Sequence, residues 1–182
     1  MKRIMLLALV SLMTLSALQA QISKASLQAT GLTCALCSNA INKAVQKLPF
    51  VATVRSDIKN SSFSIVFKEG MEPDIDAIKM AVEDAGFSVG GLQLTGQIIE
   101  PALAKDNLLK IGGNYFHVVN GEGKSLRGET VISVVDKNFI PEKEYKKRSR
   151  EGRLSCVKDG KATPDCTLEG LSAGTRVYHV II

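Results

Sequence analysis

Residues 31–37, Gly-Leu-Thr-Cys-Ala-Leu-Cys, constrain this chain most, because they join a strand pattern to a helix pattern and carry two thiols three positions apart. Before them, residues 23–29 alternate, with Ala25, Leu27 and Ala29 on one face and Lys24, Ser26 and Gln28 on the other. That alternation predicts a half-buried strand. After them, Ile41, Ala44, Val45 and Leu48 recur at helical spacing until Pro49 ends the run. Cys34 is thus expected in the connecting loop and Cys37 at the opening of the helix, where unmade N–H groups and the helix dipole favour negative charge. Two thiolates at one exposed corner suit a soft metal ion of low coordination number.

The periodicity continues into a recognisable order. Residues 50–58 and 62–67 read as a hairpin turning at Lys59-Asn60-Ser61, with Phe63, Ile65 and Phe67 on one face. Pro73-Asp74 opens a second helix whose buried stripe is Ile75, Ile78, Val82 and Ala85, and Gly86 is its expected cap. Phe87, Val89 and the residues to about Gln93 supply a fourth strand. The resulting β-α-β-β-α-β order is the split, ferredoxin-like α+β arrangement, a four-stranded antiparallel sheet with both helices on one face.

With the Gly-x-Thr-Cys-x-x-Cys loop and Asp84-Ala85-Gly86-Phe87 closing the second helix, this stretch resembles the heavy-metal-associated (HMA) domain. That module occurs in copper chaperones, in the N-terminal repeats of copper-transporting P-type ATPases and in the periplasmic mercuric-ion-binding protein. The resemblance runs from about residue 23 to residue 92. It implies that Cys34 and Cys37 are the metal ligands, that Gly31 and Thr33 shape their loop, and that Phe87 packs beside the site. Leu32 stands where the family usually has Met, and an apolar Leu serves the same tethering role by burying into the core. Ser38 occupies a position that decides little.

The Cys-x-x-Cys spacing taken alone also fits a structural disulfide or a thiol–disulfide redox pair. The redox reading lacks the thioredoxin strand order around the motif. A structural zinc site wants about four N or S ligands, and this segment offers two cysteines with no neighbouring His. Cu(I) therefore ranks first as the bound ion, with Hg(II) or another soft ion next. Such an open site suits metal transfer or scavenging, with a metal-transporting membrane protein or another donor or acceptor as partner.

Lys2-Arg3 followed by an apolar run from Ile4 to about Leu18 predicts a secretory signal over residues 1–20, cleaved after Ala20, and hence an exported, periplasmic protein. No other segment approaches the roughly 20 apolar residues of a membrane span. The sequence pI is near 9.0, yet residues 21–94 hold seven Lys/Arg against seven Asp/Glu, and the chain has no Trp. A nucleic-acid partner is not expected.

Residues 21–94 are assigned to the HMA domain and residues 95–182 to a small β-rich domain of unknown role. Residues 95–100, 115–120, 130–136 and 176–182 are β-branched or apolar runs separated by glycines, which suggests an OB-like barrel or small sandwich. Residues 101–110 read as a short helix, and residues 141–153 as a basic, solvated segment. Cys156 and Cys166 read as a loop-closing disulfide. His117 and His179 read as partly buried strand histidines that meet only if their strands pair. The basic run from Lys143 to Arg148 is a solvated face, with an acidic partner or anionic lipid as the alternative. Asn60-Ser61-Ser62 fits a glycosylation sequon and reads as a polar turn. No Ser-His-Asp grouping, phosphate loop or catalytic carboxylate pair is present, so no enzyme is predicted. A C-terminal half that binds a partner is a further reading.

Overall fold

The computed structural model describes residues 20–32, 35–98, 107–119, 121, 126–151, 157–158, 160–162 and 171–182. The signal segment predicted before residue 20, Thr33, Cys34, Cys156 and Cys166 lie outside the described residues.

Strand β1 (Gln21–Thr30) buries Ile22, Ala25, Leu27 and Ala29. Ile22 and Ala25 share a face although three apart, because the register with its neighbour slips between Ile22 and Lys24. Helix α1 (Ala35–Gln46) turns Ser38, Ile41 and Val45 inward. At its far end the Gln46 side chain mimics a strand, donating to Ala52 O at 3.2 Å and accepting from Val54 N at 2.9 Å. Those bonds tie the helix to strand β2 (Val51–Asp57). Strand β3 (Ser62–Phe67) buries Phe63, Ile65 and Phe67 as its alternation predicts. Asn60 sits in the exposed turn between them and donates to Asp57.

Helix α2 (Ile75–Asp84) is capped by Asp74, whose carboxylate accepts the Ala77 N–H at 2.9 Å. Its end is closed as expected at Gly86, where φ is +87° and the amides of Gly86 and Phe87 reach Glu83 O and Val82 O. Strand β4 (Ser88–Ile98) returns antiparallel to β1. Ile41 and Val45 of α1, Ile78 and Val82 of α2, and Leu27, Phe63 and Leu92 of the sheet share one core, so both helices cover the same face. This is the ferredoxin-like arrangement.

Four later strands extend the same sheet. Strands β5 (Leu108–Ile111) and β6 (Asn114–Val118) form a hairpin at Gly112-Gly113. Strand β7 (Gly128–Val134) pairs antiparallel with β4 from Leu92 to Ile98. After helix α3 (Glu142–Glu151) and the two-residue strands β8 (Val157–Lys158) and β9 (Lys161–Ala162), strand β10 (Val177–Ile181) enters between β7 and β6. The eight-stranded order is β2-β3-β1-β4-β7-β10-β6-β5. Among the described residues the β-rich half is an open extension of that sheet with β5 at its edge, and β8 pairs with β9 in a separate two-stranded sheet. Residue 94 lies inside β4, and Ile132, Val134, Phe116 and Val180 continue the core begun by Leu27 and Leu94.

Three local expectations change. The run at residues 95–100 is the second half of β4 as far as Ile98. Of the helix expected at residues 101–110, residues 101–106 lie outside the described residues, and residues 108–110 are strand because they pair with β6. The basic segment is largely helical. Glu142–Lys146 and Glu144–Arg148 ion pairs, each at 2.7 Å, follow helical spacing and support α3 without an apolar stripe.

Candidate metal centre

The geometry of the corner begins with the end of β1. Thr30 pairs with Ser88, and its hydroxyl donates to Ser88 O at 3.3 Å. This register sets the junction of α2 and β4, including Phe87, beside the loop that leaves β1. Gly31 follows with φ +82°, and a Cβ placed there would meet nothing within 4 Å. The requirement for glycine is conformational, because an L side chain is strained in the left-handed region. Leu32 then turns in and packs against the core, and Phe87 does the same from the other loop. Leu32 thus buries into the core, the tethering role that the sequence resemblance implies.

Cys37 lies in the first turn of α1 and is half-buried. Cys34 precedes that helix by one residue in sequence and lies outside the described residues. Beneath Cys37, Ser38 is 3% exposed, and its hydroxyl meets no hydrogen-bond partner. Outside it, Leu36 is 81% exposed. Among the described residues no three His, Cys, Asp or Glu side chains gather as a metal-binding group. The described group at this corner that could hold a soft cation is therefore the Cys37 thiol, in the first turn of α1.

The other sequence candidates lie far along the sheet. Strands β6 and β10 pair in parallel with His117 opposite His179, so the two rings do meet, with centroids 5.5 Å apart. Of the basic run on α3, Lys143, Lys146 and Lys147 are exposed and Glu144, Tyr145 and Arg148 are half-buried.

Sequence reasoning missed a charged cluster joining the two halves. The Arg176 guanidinium donates to Asp76 Oδ2 at 2.8 Å and to Asp136 Oδ2 at 3.0 Å, and stacks 3.9 Å over the Tyr178 ring. Tyr178 donates to Asp76 Oδ2 at 3.2 Å. Burial opposes the ionisation of Asp76, but the Arg176 hydrogen bond and charge outweigh it and hold that carboxyl below the ordinary range. Burial, followed by the Asp76 charge, pushes the Tyr178 phenol up. No motif marks these residues in sequence.

The fold and the corner thus define an α+β unit of ferredoxin-like topology with a cysteine at the β1–α1 turn. Residues 26–88 match the family model of the heavy-metal-associated domain, and this part of the chain is an HMA domain. It is 35% identical over 66 residues to the probable copper-transporting ATPase HMA5 of Arabidopsis thaliana, covering 36% of this chain and 6% of that protein. It is 34% identical over 71 residues to copper-transporting ATPase 1 of Rhizobium meliloti (strain 1021), covering 39% of this chain and 8% of that one. The chain thus spans less than a tenth of the curated relatives it matches. Among solved structures, a copper binding domain from HMA7, a P-type ATPase, is similar at 32% identity and a TM-score of 0.33, over 36% of this chain and 88% of that one. The CopZ metallochaperone is similar at 24% identity and a TM-score of 0.34, over 37% of this chain and 98% of its own.

Proposed function

We propose that this is an exported Cu(I)-binding protein in which Cys34 and Cys37 hold the ion for transfer or scavenging. The observation that carries the reading is the placement of Cys37 in the first turn of α1, behind the left-handed Gly31, in an HMA domain. The copper-transporting names of the relatives support copper over other soft ions, with Hg(II) the next candidate. Two thiolates satisfy Cu(I), whereas zinc wants about four N or S ligands. The open coordination leaves room for a partner's thiols, so the ion can pass to a donor or acceptor such as the metal domain of a membrane transporter. Export rests on the basic-then-apolar start of the chain, and β1 starts at Gln21, immediately after the proposed cut.

The test is anaerobic titration of the reduced protein with Cu(I) against a strong competing chelator, beside a Cys34→Ser, Cys37→Ser variant. Wild type retains one ion that the variant gives up. Equal retention by both proteins would sink the proposal. Turnover of a protein disulfide by the wild type, lost in the variant, would favour the redox reading instead.

A further inference from the structure

Ser38 stands on the same stripe of α1 as Ile41 and Val45, the residues that turn this helix into the core. It is 3% exposed, and among the described residues its Oγ finds no hydrogen-bond partner. We infer that Ser38 is a positioning residue of the metal corner, whose hydroxyl donates to a cysteine thiolate when the ion is bound. The inference rests on the copper reading above and deepens it.

An orphan donor in that place has a cost. Buried hydroxyls are ordinarily bonded, and a serine inside a helix ordinarily turns its hydroxyl to solvent or back onto the carbonyl four residues earlier. Ser38 does neither. Capping does not explain it, since the helix opens at Ala35 and a cap would precede that residue. Alanine would fill the position with no unmet bond and a better helix propensity. The ion-free fold therefore keeps a donor that it does not use.

Loading supplies the acceptor. Two thiolates bring two negative charges and Cu(I) brings one positive charge, so the loaded corner keeps net negative charge on sulfur. Such charge beside an apolar core is stabilised by hydrogen-bond donors. The first turn of α1 holds no acidic side chain to oppose it. In sequence Ser38 follows Cys37 directly and Cys34 by four positions, and the Cα–Cβ bonds of a helix tilt toward its N-terminus. The hydroxyl thus belongs to the turn that begins at the cysteines, between the core and the half-buried Cys37. Donors behind metal ligands fix their direction, and losing one typically costs roughly tenfold to a hundredfold in metal affinity.

The experiment uses the full chain, reduced and anaerobic, as wild type, as Ser38→Ala, and as the Cys34→Ser, Cys37→Ser variant. Against a strong competing chelator, Ser38→Ala is expected to hold Cu(I) about tenfold more weakly than wild type. Its ion-free thermal midpoint should equal or exceed that of wild type, and its gain in midpoint on loading should be smaller. In proton NMR of the wild type, the Ser38 hydroxyl proton should exchange with water more slowly with Cu(I) bound than without it. Equal affinity of wild type and Ser38→Ala, a lower ion-free midpoint in Ser38→Ala, or hydroxyl exchange unchanged by loading would each overturn the role. The copper reading fails by a different result, equal retention by wild type and the double cysteine variant.

Discussion

Arg176 and Asp76, one hundred residues apart in sequence, meet at 2.8 Å and join the first turn of α2 to the residue just before β10. Arg176 also compensates the buried Asp136. Arg176→Met would take the guanidinium from the buried Asp136 and leave Asp76 to Lys79 at 3.6 Å, and a loss of about 3 kcal/mol in urea unfolding is expected. Arg176→Lys should recover part of it, because an ammonium cannot bridge two carboxylates as a planar fork does. Unchanged stability in Arg176→Met would show the cluster to be energetically idle.

The same contact sets an acid limit. The folded-state pKa of Asp76 is lowered from 3.8, so its contribution is complete above that value and is lost as pH falls through the lower folded value. Urea midpoints measured from about pH 6 down to about pH 2.5 should fall more steeply in wild type than in Asp76→Asn. Parallel profiles would contradict this.

Gly31→Ala places a side chain at φ +82°. A cost of roughly 1 kcal/mol in stability is expected, since nothing but the backbone objects. Weakened Cu(I) retention should accompany it, because the strain falls on the loop that carries Cys34. Full retention in a destabilised variant would separate Gly31 from the site.

Ser38→Ala should stabilise the protein by about 1 kcal/mol. The substitution removes a buried hydroxyl without a partner and adds a better helix former. A lower thermal midpoint in the variant would show that the hydroxyl makes a bond in solution.

The first half was legible because its information is local. The alternation of Ala25, Leu27 and Ala29, the stripe of Ile75, Ile78 and Val82, and the cap at Gly86 each lie within a few residues of what they specify. Helix α3 was missed because paired charges, rather than an apolar stripe, support it. Residues 108–110 became strand because β6 pairs with them, and no short-range signal records a partner. The Arg176 cluster was invisible for the same reason.

By itself, the sequence determined the order of strand, loop and helix that puts Cys37 in the first turn of α1, and the ferredoxin-like order around it. Periodicity and turn chemistry act over a few residues and can be read there. Only the tertiary structure decided that β4 continues past residue 94 to pair with β7. Likewise it decided that β10 slots between β7 and β6, placing His179 against His117 and Asp136. Strand pairing over such distances follows from how a whole sheet buries its apolar face, and no single stretch of chain encodes it.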